Sequence, residues 1–215
     1  MMETFERYLR PGIYVDSDHP LVVSFALDHV RGDSDTQRGV SLFYAVRDAI
    51  RYNPFQNFMS DESYRGSACL AHQEGWCVPK AALLAACARA VGIPARVGFA
   101  DVKNHLTTPR LAEFMGSDIF IFHGYAELYL GEQWVKATPA FNLDLCTRFH
   151  VKPLEFDGRN DSIFHPFDEK HRRHMEYLRD RGSFDDVPAE LIKRSFRETY
   201  PSFYSLGVDA TRETF

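Results

Sequence analysis

Residues 75–100 read GWCVPKAALLAACARAVGIPARVGFA, and their reading decides the fold. A lone cysteine leads into a run of small apolar residues, a Gly and a Pro stop that run, and the chain leaves as a strand. Trp76-Cys77-Val78-Pro79 fits a helix start, because a Pro in the first turn gives up an N–H that has no intrahelical partner. From Ala81 to Val91 nearly every residue is Ala, Leu, Cys or Val, with Arg89 the one charge, so this helix is buried on most of its circumference. Gly92 is suited to the left-handed position after a helix, and Pro94 cannot continue one. Arg96, Val97, Gly98 and Phe99 then read as a strand.

Cys77 therefore stands at a helix N-terminus. The free N–H groups there carry about half a positive elementary charge, which favours a thiolate over a thiol and can also hold an oxyanion. The competing reading is a small core side chain, since free cysteine is among the most buried residue types. Helix position alone does not separate the two. A base is needed.

At 215 residues the chain is long enough for one sizeable core, and one domain over residues 1–215 is expected. Within it, residues 1–74 read as N-terminal helices and a loop, 75–142 as the Cys/His core and 143–215 as a wrapping segment. Hydrophobic residues at 45% and charged residues at 26% match a soluble globular protein. A net charge of −5 argues against nucleic acid or an anionic membrane as partner, because phosphate binding needs a basic face. The opening MMETFERYLRPG lacks the apolar stretch of a secretory signal, and no apolar run reaches the roughly eighteen residues of a membrane span. A cytoplasmic protein is expected. Cys69, Cys77, Cys87 and Cys146 form no CxxC pair, so they read as reduced thiols without zinc, and no cofactor is implied.

Residues 20–30 read as a helix begun by Asp18 or His19. A second follows Ser34 and Asp35, with Val40, Phe43, Tyr44, Val46, Arg47 and Ile50 in a stripe at helical spacing, and ends before Asn53-Pro54. Residues 56–74 read as a loop, 104–110 as a polar connection and 111–115 as a short helical turn. Residues 118–140 read as a hairpin. Phe120, Phe122, Gly124, Ala126 and Leu128 alternate onto one side, and Ile119, Ile121, His123, Tyr125, Glu127 and Tyr129 onto the other. His123 is thus held on rigid sheet structure, as a general base must be, although a sheet histidine bonded to a neighbour fits the pattern equally well. The single glycines Gly98 and Gly124 mark bulges or close backbone approaches.

Residues 168–181 read as a helix with acid first and base later. His171 and His174 lie on it, with His165 and Glu176 nearby. They suggest a metal-dependent hydrolase only weakly, because no closed ligand set of proper spacing appears, and a solvated charged face is the simpler reading. Residues 188–200 read as a last helix with Leu191, Ile192, Ser195, Phe196 and Tyr200 as its apolar strip. The aromatic tail around it suits a segment that wraps the core or covers a cleft.

Gly-x-Cys followed by an Ala/Leu-rich helix and Gly-Ile-Pro-Ala-Arg, here Gly75 to Arg96, resembles the nucleophile segment of the transglutaminase-like superfamily. The downstream His123, Glu127, Tyr129, Leu130 and Trp134 resemble its histidine hairpin. The resemblance implies an α+β, papain-like fold in which the cysteine helix packs on an antiparallel sheet. It also implies a Cys-His-Asp triad acting on the amide bonds of a peptide or protein substrate. Water resolving the acyl-enzyme gives hydrolysis and an amine gives cross-linking; the sequence does not tell these apart, and hydrolysis is the default because water is always present and no amine site can be read. The chain departs from the pattern where the family has Asp, four residues after the strand Trp, because Thr138 stands there. A Thr138 hydroxyl that accepts from His123 is one replacement; Asn142 and Asp144 are others, less favoured by spacing. Gln73 is a possible second oxyanion donor, although a solvated loop glutamine is the simpler reading. The missing carboxylate also fits a catalytically degenerate module that binds peptide in the old cleft.

Overall fold

The computed structural model describes residues 3–104, 113, 115–163 and 175–200. After a short α1 (Glu3–Glu6), α2 (Pro20–His29) starts where the His19 ring accepts the Leu21 N–H at 3.3 Å, with Pro20 in its first turn. α3 (Asp35–Ala49) opens with a capping box: Ser34 Oγ accepts the Gln37 N–H at 3.2 Å, and Gln37 Oε1 accepts the Ser34 N–H at 3.3 Å. β1 (Arg51–Tyr52) pairs in parallel with β2 (Glu74–Gly75). Between them, where the sequence suggests only a loop, the chain makes a 3₁₀ turn (Asp61–Tyr64) and α4 (Gly66–His72). That helix is too short to show a period, and it forms because Gly66 lets it press on α5: a Cβ there would stand 3.1 Å from Leu83 Cα.

α5 (Cys77–Ala90) is buried from Cys77 through Arg89, as its composition requires. It ends in a Schellman turn: Ile93 N–H donates to the Ala88 carbonyl and Gly92 N–H to that of Arg89, both at 2.9 Å, with Gly92 at φ 84°. Arg89 spends its guanidinium on the carbonyls of Ala95, Arg10 and Asp185, so the one charge in the run ties three segments together. Lys80, also fully buried, donates to the carbonyls of Arg47 and Ile50 at the end of α3.

The main sheet contains β3 (Ala95–Asn104), β4 (Ile119–Leu130), β5 (Gln133–Ala137) and β6 (Met175–Phe184), in the order β5-β4-β3-β6 with every neighbouring pair antiparallel. β6 corrects the helix expected over residues 168–181, of which 168–174 lie outside the described residues. Its charges belong to an edge strand with much of its length in water, a pattern that an acid-then-base helix imitates. α5 covers the face carrying Phe122, Ala126 and Leu128, and Gly124 lets the two elements approach: a Cβ there would lie 3.0 Å from Val78 Cα. On the other face Tyr125 packs with Ala100 and Val102, and its ring lies over Gly98. Both single glycines are therefore sites of close approach.

After β5 come α6 (Leu143–Phe149) and, beyond β6, α7 (Ala189–Thr199), whose Phe196 packs against Phe58 and Trp76. Of the short turn expected over 111–115, only Glu113 and Met115 are described, and the connection at 105–110 lies outside, as do His165, His171 and His174. No helix among the described residues is long and apolar enough to cross a membrane.

Candidate active site

Cys77 is the first residue of α5, and Pro79 in the same turn leaves that helix end with few N–H groups, of which those of Cys77 and Val78 bond toward the sulfur. A third comes from across the interface, the Gly124 N–H on β4. Burial dominates nonetheless and pushes the thiol up to about 11, the three N–H groups only partly offsetting it. Helix position alone therefore does not ionise Cys77.

His123 is buried one residue before Gly124 and pairs with Ala100 on β3. It lines the same pocket as Cys77, a recess walled also by Tyr52, Phe58, Trp76, Met115, Ile121 and Phe196. The strict alternation read from the sequence would turn His123 away from the face that α5 covers. The chain escapes it at Phe122, whose φ of 55° interrupts the pleat where the β3–β4 register also shifts. Asp101 holds that irregularity. Its carboxylate accepts the Phe122 N–H at 3.1 Å and receives Arg181 through Nε and Nη2 at 2.7–3.0 Å, and the same guanidinium lies 4.5 Å from the centre of the Phe122 ring. Glu127, on the expected histidine side, takes no part in the pocket: it is buried against Arg96 and accepts Ser183 Oγ at 2.6 Å.

Thr138 is buried just after β5, and the pairing of Ala137 with Ala126, continued by one step, sets it opposite Tyr125, two residues along from His123 in the adjoining strand. Its hydroxyl donates to the Ile163 carbonyl at 2.6 Å, which leaves only its lone pairs for another partner. Asn142 accepts the Tyr52 N–H at 3.0 Å through its side-chain oxygen. Asp144 and the exposed Gln73 line a separate, charged cleft with Arg51 and Arg148. None of Gln73, Thr138, Asn142 and Asp144 lines the recess of Cys77 and His123. The parts that sequence reasoning missed are backbone and long-range ones: the Gly124 N–H, the Asp101 clamp, and Tyr200, whose hydroxyl donates to the Ile119 carbonyl at 2.7 Å and accepts the Ile121 N–H at 2.8 Å. Only the unusual placement of an acid inside an apolar strand, Asp101 in ARVGFADVKN, was a visible signal.

A cysteine at the head of a buried helix, facing an antiparallel sheet that carries a histidine, defines the class of papain-like cysteine proteins. The chain belongs to the transglutaminase-like superfamily, whose family model matches residues 25–139, more than half of its length. Among solved structures it is similar to a candidate cysteine protease from Cytophaga hutchinsonii, at 16% identity and a TM-score of 0.52, over 85% of this chain and 47% of that one. The chain thus spans about half the length of that protein, and at this identity the likeness shows the fold alone. A structure described as a TGase shares 20% identity over 56% of this chain and 29% of its own, with a TM-score of 0.35. No curated protein matches the chain.

Proposed function

We propose that the chain is a cysteine-dependent amidase acting on a peptide or protein, with Cys77 as nucleophile and His123 as general base. The observation behind this reading is the shared recess, which Cys77 and His123 both line, with the Gly124 N–H next to His123 favouring the charged form of the sulfur. His123 takes the thiol proton as Sγ attacks the amide carbonyl carbon. The C–S bond forms, the oxyanion rests on the Cys77 N–H, the C–N bond breaks, and His123 gives its proton to the leaving amine. Water then adds to the thioester with His123 as base, the C–S bond breaks, and a carboxylic acid and the thiol are released. Burial, which raises the Cys77 thiol, favours this general-base route over a preformed thiolate–imidazolium pair. Thr138, through its lone pairs, is the proposed orienter of His123.

A degenerate peptide-binding module is the second reading. It is favoured by the absence of a carboxylate at position 138 and by the commitment of that hydroxyl to Ile163. Brief reaction with an activated acyl ester, followed by peptide mass mapping, tests the first. The expected result is an acyl group on Cys77 whose formation slows at least about a hundredfold in His123→Ala. Acylation that ignores Cys77, or that is indifferent to His123, contradicts the amidase reading. Thr138→Asp separates the two readings, since a latent enzyme gains thiol reactivity and a pure binder does not.

A further inference from the structure

The recess beside Cys77 has a chemistry of its own. Among the described residues its lining side chains, including Tyr52, Phe58, Trp76, Met115, Ile121 and Phe196, contain no Asp, Glu, Lys or Arg. Three rings make one wall: Phe58 meets Trp76 edge to face at 4.8 Å and Phe196 edge to face at 5.4 Å. The indole N–H, the polar edge of that wall, is already given to the Ser63 carbonyl at 2.9 Å. A charged group entering here would leave water and find no ion to pair with among these residues. The cleft on the far side of Tyr52 is the opposite case, lined by Asp48, Arg51, Glu74, Asp144 and Arg148. Among the described residues, charge lines the neighbouring cleft and not the recess.

The recess is small, about 40 Å³ within its walls and open toward solvent, which suits the end of one apolar side chain and not a long apolar chain. Phe196 reaches this wall from α7, outside the residues 25–139 that carry the family likeness.

We infer that the acyl half of the substrate carries an aromatic or branched aliphatic side chain next to the scissile carbonyl, and that Phe58, Trp76 and Phe196 select it. This inference rests on the amidase reading, because it places the side chain by the position of the Cys77 sulfur. A glutaminyl donor, with only a thin methylene stem behind its reacting carbonyl, leaves the ring wall unfilled, and acidic or basic side chains are rejected by desolvation.

A series of aminoacyl chloromethyl ketones with Phe, Leu, Gln, Asp and Lys side chains, run beside iodoacetamide, tests it, with Cys77 alkylation followed by intact mass and peptide mapping. The Phe and Leu reagents are expected to alkylate Cys77 at least about tenfold faster than the Asp and Lys reagents, with saturation, and the Gln reagent to fall below both apolar ones. Phe196→Ala, or Met115→Ala if the first does not fold, is expected to favour a bulkier naphthyl reagent over the Leu one. Alkylation of Cys77 that is His123-dependent yet ranks all five reagents alike overturns the inference and leaves the amidase reading standing. Failure of iodoacetamide and every ketone to modify Cys77 faster than Cys146 overturns both.

Discussion

The Asp101 carboxylate accepts the Phe122 N–H at 3.1 Å, and Phe122 is the residue of positive φ immediately before His123. A β-strand residue other than glycine held at φ 55° costs about 1 kcal/mol or more, and it persists where its surroundings fix it. Asp101→Ala removes the acceptor and leaves the Arg181 guanidinium, which also lies over the Phe122 ring, without its counter-ion. A loss of about 2–4 kcal/mol is expected in urea unfolding, with slower alkylation of Cys77 even in the folded fraction. Asp101→Asn, which keeps an oxygen for the Phe122 N–H, is expected to retain more of the alkylation rate than of the stability. Equal alkylation rates in both variants and the parent would show that the clamp has no bearing on His123.

Gly124→Ala tests the contact between β4 and the head of α5. The added Cβ would lie 3.0 Å from Val78 Cα and 3.3 Å from Val78 N, backbone atoms that cannot swing aside. The expected cost is about 1–3 kcal/mol, together with a lower Cys77 reaction rate as the sulfur moves off the Gly124 N–H. A variant that matches the parent in both unfolding and alkylation would contradict the packing described.

Lys80 gives a pH dependence. Burial lowers its amine to about 7, with Cys69 and Asp48 pulling the other way, against an ordinary value near 10.5. Between those limits the unfolded chain holds a proton that the folded chain lacks, so this group's cost is greatest below about pH 7 and is relieved as pH rises through the window. Relative to Lys80→Met, the parent is expected to gain up to about 1 kcal/mol of stability per pH unit between pH 7 and 9. A parallel pair of pH–stability curves would show that Lys80 keeps an ordinary pKa.

Much of this was legible in the chain, and the gaps have physical causes. The Cys77 helix was readable because its start, apolar body and Gly92 stop agree with one another, and the hairpin because period-2 alternation brackets a Gly-containing turn. β6 was missed because an exposed edge strand has no buried face to set a period, so its charges read as a helix. α4 was missed because seven residues are too few for periodicity, and its stability comes from contact with Leu83. At the site, the sequence offered Cys77 and His123 as residue types, but the kink at Phe122 that interrupts the alternation depends on Asp101, 21 residues earlier, and on Arg181, 80 residues beyond that. Spacing favoured Thr138 over Asn142 and Asp144 but could not place any of the three side chains. Their bonds to Ile163 and Tyr52, and the separate cleft, are products of the fold.

The account turns on a proton shared between Cys77 and His123, and the rate of Cys77 alkylation by iodoacetamide against pH, in the parent and in His123→Ala, tests it most directly. Burial alone would leave about one thiol in a few thousand ionised at pH 7.5, with the rate climbing tenfold per pH unit toward about 11. That is the profile expected for His123→Ala. In the parent the rate is expected to exceed the variant's at pH 7.5 by at least about tenfold. A parent profile that superimposes on that of His123→Ala would contradict the central claim.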